Sequence, residues 1–104
     1  MGLEALRRSL RRFADERDWE RFHSPKNLAM ALVVEAAELA EIFQWMTEEE
    51  SRTAHLDAAR REHIADEIAD VLLYLLQIAD KTGIDIEHAA LRKLEKNAVK
   101  HPVR

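Results

Sequence analysis

Four carboxylates are set at matched spacing into two apolar helical segments, and they limit what this chain can fold into more than any other feature. Glu35 and Glu38 lie three apart in Ala31-Leu-Val-Val-Glu-Ala-Ala-Glu-Leu-Ala-Glu-Ile-Phe-Gln-Trp45, and Glu67 and Asp70 lie three apart in Asp66-Glu-Ile-Ala-Asp-Val-Leu-Leu-Tyr74. At about 100° per residue, Leu28, Leu32, Ala36, Leu39, Ile42 and Phe43 fill one arc of the first helix. Glu35 falls inside that arc, and Glu38 lies on its edge beside Trp45. In the second segment Ile64, Ile68, Val71, Leu72, Leu75, Ile78 and Ala79 make the arc, with Glu67 on its border and Asp70 and Tyr74 next to it. A carboxylate on a core-facing stripe is costly unless it is paired or holds a metal. Two matched pairs on two helices need one shared explanation.

The composition agrees with a single all-α domain over residues 1–104. Of the 104 residues, 47% are hydrophobic and 35% charged, enough for one modest core. Two Gly, two Pro and an excess of strong helix formers leave little room for strands. The absence of Cys excludes disulfides, zinc thiolate sites and cysteine nucleophiles. The net charge of −4, with both signs mixed along the chain, provides no basic footprint for a nucleic acid polymer. The longest apolar run, Val71 to Ile78 interrupted by Gln77, is too short to span a bilayer. The N-terminal residues read as an amphipathic, charge-rich helix rather than a signal peptide. The expectation is a soluble cytoplasmic protein with no membrane partner.

Four helices follow from the pattern. Leu3, Leu6, Leu10 and Phe13 mark a first helix over about 3–16. Asp18 to His23 reads as a loop. Ser24 as N-cap and Pro25 at the first helical position open a second helix that runs to about Trp45. Thr47 and Glu50 form a capping box that predicts a short helical turn. A third helix covers roughly 57–81 and stops at Gly83; Asp85 caps a fourth from Ile86 to about Lys100, which Pro102 ends. Val71 to Leu76 is apolar nearly all the way round, more than four short helices can cover within one subunit. The third helix therefore predicts a homo-oligomer.

Oxygen ligands suit hard cations, and Mg²⁺ is held by a few carboxylates while it keeps waters and phosphate oxygens. Residues three apart share a helix face, so the two pairs can present their oxygens to one metal cluster between two helices. Taken singly, such Glu residues are more often solvated or paired with Arg or Lys; Glu41, Glu48, Glu49 and Glu50 keep that reading. A di-iron bundle requires Glu-x-x-His on two helices. Only Glu20 and His23 fit, in a loop. His63, one turn before Glu67, reads as a surface or supporting group.

The two acidic segments resemble the metal-binding helices of the MazG-type all-α nucleoside triphosphate pyrophosphohydrolases. Arg17-Asp-Trp-Glu-Arg-Phe-His-Ser-Pro-Lys-Asn27, Lys93-Leu-Glu-Lys-Asn97 and His101-Pro-Val103 resemble the dCTP pyrophosphatase branch of that family, so the likeness covers nearly the whole chain. It implies a four-helix MazG-like bundle assembling as a homotetramer, with a dimer as the alternative. It also implies Mg²⁺ on Glu35, Glu38, Glu67 and Asp70, and a nucleoside triphosphate substrate whose base and sugar meet Trp19, Trp45, Tyr74 and Asn97. The implied reaction is cleavage between the α- and β-phosphates, with dCTP or a modified dCTP preferred, as a house-cleaning step on the nucleotide pool. Glu38 is the candidate for orienting or deprotonating the attacking water, and Lys93 for a phosphate contact. Two positions depart from the pattern. MazG proper has a further Glu where this chain has Val34, which favours the dCTP-like branch. That branch has a substrate-side His where this chain has Leu10, which bears on base choice.

Two other classes fit parts of the sequence. A helical interaction module accounts for the apolar third helix but leaves Glu35 unexplained. A nucleotide-binding protein without catalysis would tolerate loss of a metal ligand, yet all four acids are present.

Overall fold

The computed structural model describes residues 2–103, the side chain of residue 54 excepted, and every regular element among them is helical. Helix α1 spans Leu3–Glu16, α2 Pro25–Phe43, α3 Ala58–Thr82 and α4 Ile86–Lys100, with 3₁₀ turns at Glu20–Phe22 and Thr53–His55. The boundaries follow local chemistry. Ser24 accepts a hydrogen bond from the Asn27 N–H at 3.1 Å with Pro25 behind it, Asp57 accepts from Arg60 N–H at 2.7 Å, and Asp85 from His88 N–H at 3.0 Å. Each cap satisfies one of the amides left free at a helix start. Gly83 ends α3 at φ 70°, a left-handed conformation that glycine adopts without a Cβ penalty.

One expectation shifts in detail. Helix α2 stops at Phe43 rather than Trp45, and Trp45 lies just beyond it. The Thr47–Glu50 box forms in both directions, at 2.9 and 3.1 Å, and opens the expected short helical turn, in which Ser51 N–H donates to the Thr47 carbonyl at 3.2 Å, but the turn does not extend into a helix. Two reciprocal bonds hold one turn, and without an apolar face to dock they do not propagate it.

The body is an antiparallel α2–α3 pair with α1 laid against α3. Leu28 of α2, Leu76 and Ala79 of α3, and Ala14 of α1 are the buried apolar residues. Ion pairs fasten α1 beside this core: Arg7 Nη1 reaches Asp80 at 2.6 Å, Arg11 Nε approaches the other oxygen of Asp80 at 3.3 Å, and Lys81 pairs with Glu20.

The bundle is not closed within the chain. Helix α4 barely touches the other three, and its Leu91, Leu94 and Val99 are exposed. Met30, Val33 and Val34 on α2 and Ile68 and Leu75 on α3 are also exposed. The radius of gyration is 16.6 Å, against about 13 Å for a compact chain of 100 residues. No helix among the described residues is long and apolar enough to cross a membrane.

Candidate metal and nucleotide site

The α2–α3 pairing brings the acidic positions together. One oxygen from each of Glu35, Glu38 and Glu67 lies within 4.8 Å of the others. Glu35 and Glu67 are half-buried, and each has an oxygen, Oε2, that is buried without a hydrogen-bond partner. Burial first, then the neighbouring charges of Glu38, Asp70 and Glu67, holds the Glu35 carboxyl above its ordinary range. Glu67 is raised likewise by burial and by Glu38 and Asp70, against a lowering influence from His63. Asp70 stands outside the tight group of three, half-buried, close enough for its charge to act on both. The donors are all carboxylate oxygens, two of them orphaned and mutually repelled. That chemistry fits a hard divalent cation.

Two cavities flank the acids. On one side Leu10, Phe13, Ala14, Trp19, His23, Asp70, Leu73, Tyr74 and Gln77 enclose a space of 190 Å³. Trp19 meets Phe13 edge-on at 5.5 Å between ring centroids and meets His23 at 6.4 Å, so this cavity is an aromatic box with Asp70 at its acidic end. On the other side lies a broad 980 Å³ cleft, lined by Glu38, Glu67, Trp45, Arg60, His63 and His55 among others. His63 Nε2 is 3.6 Å from Glu67 Oε1. Asp70 thus lines the apolar, ring-sized space, and Glu38 and Glu67 line the polar cleft together with Glu41, Glu50 and the Arg60 guanidinium.

The remaining sequence candidates divide. Trp19 and Tyr74 join the aromatic box, whereas Trp45 lines the cleft and is 88% exposed. Lys93 and Asn97 are exposed on α4 and line neither space. Arg60, Phe13 and Gln77 were not singled out for the site by spacing. Only Gln77 left a signal, as the polar break in the apolar run of α3.

Acidic oxygens gathered between two helices of an all-α fold are a donor set that could hold a divalent cation, and comparison with known proteins gives the family. Residues 30–104 match the model of the MazG-like family, to which the chain belongs. It is 43% identical over 101 residues to dCTP pyrophosphatase 1 of Bos taurus, covering 97% of this chain and 60% of that protein. The Homo sapiens protein of the same name is 43% identical over 100 residues, with 96% and 59% covered. The chain thus spans about three fifths of the length of these curated relatives. A pyrophosphatase from Archaeoglobus fulgidus, known from its crystal structure, is 44% identical with a TM-score of 0.87, over 96% of this chain and 92% of that one.

Proposed function

We propose that residues 1–104 form one catalytic domain, a Mg²⁺-dependent nucleoside triphosphate pyrophosphohydrolase of the cytoplasmic nucleotide pool with a preference for dCTP or modified dCTP. The observation that carries this reading is the row of carboxylates along the α2–α3 pair, with Asp70 lining the aromatic box and Glu38 and Glu67 of the clustered three lining the polar cleft. A nucleoside triphosphate has the same order of parts: an apolar base, a reacting phosphate and a polyanionic tail. The names of the relatives add weight to a nucleotide pyrophosphatase and to dCTP.

Glu35, Glu38, Glu67 and Asp70 would hold the cation, which when bound supplies charge neutralisation on the phosphates and lowers the pKa of water. Trp19 and Tyr74 receive the base, and Phe13 braces Trp19. Glu38, the exposed member of the cluster, takes the proton of the attacking water. The water oxygen bonds to the α-phosphorus as the bond to the α–β bridging oxygen breaks, leaving nucleoside monophosphate and pyrophosphate. Arg60 and His63 line the cleft into which the leaving pyrophosphate extends.

The same reading includes a homotetramer, with a dimer as the smaller alternative. The apolar faces of α2, α3 and α4 left open in one subunit form its contacts. Helix α4 of one copy delivers Asn97 to the sugar or base and Lys93 to the phosphates of another, and Trp45 is covered in the same assembly. Self-association thereby accounts for the exposed faces that would otherwise favour a helical interaction module.

The test is incubation with Mg²⁺ and a panel of dNTPs and NTPs, with phosphorus NMR of the products. Monophosphate and pyrophosphate, fastest from dCTP, are expected. Diphosphate with orthophosphate, or no turnover of any nucleotide, would overturn the reading.

A further inference from the structure

Among the described side chains, three buried oxygens have no hydrogen-bond partner: Oε2 of Glu35, Oε2 of Glu67, and Oε1 of Gln77. The first two belong to the acid cluster, where a cation accounts for them. The third does not. Gln77 is half-buried on α3 and lines the aromatic box with Trp19, Tyr74 and Leu10. A buried amide oxygen left unmatched costs the full desolvation of the group, so such atoms are rare and ask for a partner.

The position of Gln77 along the helix says what kind of partner. Asp70, Tyr74 and Gln77 follow at intervals of four and three residues, so they share one face of α3. From Asp70 to Gln77 the helix rises about 10 Å, comparable to the reach of a nucleoside monophosphate from its phosphorus to the far edge of its base. With the phosphate at the acidic end and the ring beside Trp19 and Tyr74, the base edge arrives at Gln77. Stacking tolerates every base, so selection depends on polar groups at that edge. Leu10, which also lines the box, has none to give, and His23 lies beside Trp19 at 6.4 Å between ring centroids.

We propose that Gln77 is a specificity-determining residue that reads the base edge, its amide oxygen accepting a hydrogen bond from the exocyclic amino group of a cytosine ring. Uracil carries a carbonyl at that position and meets the oxygen as acceptor against acceptor. The inference rests on the nucleotide reading of the site but concerns a residue outside the metal cluster, so binding tests it separately from turnover.

Calorimetric titration with dCMP and dUMP is the direct experiment, run on the full chain beside a pyrophosphate-release assay. The wild-type chain is expected to bind dCMP about tenfold more tightly than dUMP, the worth of one neutral hydrogen bond. Gln77→Met should erase that gap by weakening dCMP and sparing dUMP. Gln77→Glu keeps an acceptor in place and should keep the preference, which guards against a variant that merely folds poorly. Equal weakening of both nucleotides in Gln77→Met, as expected if a buried water satisfies the oxygen from the 10 Å³ cavity behind it, would overturn the proposal. So would a wild-type chain that binds both alike or neither. A Gln77-dependent preference between dCMP and dUMP without pyrophosphate release from dCTP or dUTP keeps this inference and removes the hydrolase reading; release from both triphosphates with indifference to Gln77 does the reverse.

Discussion

Glu35 on α2 and Glu67 on α3 face a common cluster, each with one buried carboxylate oxygen that no protein group satisfies. Both carboxyls are raised from the ordinary value of 4.5, by burial first and by neighbouring negative charge second. A raised carboxyl binds protons more readily folded than unfolded. Its contribution to stability is therefore fully present below pH 4.5 and is lost as pH rises through the raised folded value.

The consequence is measurable in the metal-free protein. Glu35→Gln removes one of the repelling charges and should melt several degrees above wild type at pH 7, with the gap closing as pH falls through the raised folded value towards 4.5. Comparing the two chains at each pH cancels the opposite trend from Glu50, whose carboxyl is lowered chiefly by the Thr47 backbone N–H and loses stability in acid. A gap that stayed constant with pH would remove the like-charge explanation.

Divalent cation should invert that order. A ligand that binds only the folded state adds about 2.7 kcal/mol at a hundred times its Kd. Thermal melts with and without millimolar Mg²⁺ should therefore show wild type rising by several degrees and Glu35→Gln or Asp70→Asn hardly moving. The same two variants should lose Mg²⁺-dependent turnover with their helical circular dichroism intact. Equal stabilisation of all three chains would separate the cation from these carboxylates.

Much of this arrangement was legible because helices obey local rules. The Leu3, Leu6, Leu10 and Phe13 spacing, the Ser24 and Asp85 caps and the Gly83 stop place four helices within a residue or two, and the Glu35/Glu38 and Glu67/Asp70 spacing already puts each pair on one face. What the spacing does not contain is which helix meets which. Periodicity marks Leu91 and Leu94 as one stripe of α4, but not that the stripe would stay uncovered within the chain. Trp19 and Trp45 likewise look equivalent as lone aromatics, and only the path of the chain assigns one to the box and the other to the cleft. Gln77 was visible only as an interruption, because a buried amide reveals its lack of a partner only once its surroundings exist.

Leu76 and Leu94 should respond to substitution in opposite ways. Leu76 is 1% exposed at the α1–α3 core, so Leu76→Ala should cost about 2–5 kcal/mol of unfolding free energy in urea titration. Leu94 is 64% exposed on α4. Leu94→Glu should leave helical content unchanged while shifting light scattering from tetramer or dimer to monomer. If the unmodified chain is monomeric at micromolar concentration, the assembly fails as an explanation of the open faces.

The two tryptophans offer a reporter for each half of the site. Trp19 packs on Phe13 within the aromatic box, and stacking on such a ring is worth roughly 1–3 kcal/mol per base, about 5- to 150-fold in affinity. Trp19→Ala should therefore weaken dCMP and dUMP by a similar factor, because a ring face does not distinguish bases. Trp45, 88% exposed in one subunit, can gain comparable contact only where a second copy covers it. In a Trp19→Phe background Trp45 is the sole tryptophan, and its fluorescence should shift to the blue in the assembled protein and return to the red in Leu94→Glu. Trp45→Ala should then weaken nucleotide binding in the assembled chain and leave the Leu94→Glu monomer nearly unchanged. Emission that stays red at every protein concentration would place Trp45 in solvent and take it out of the nucleotide site.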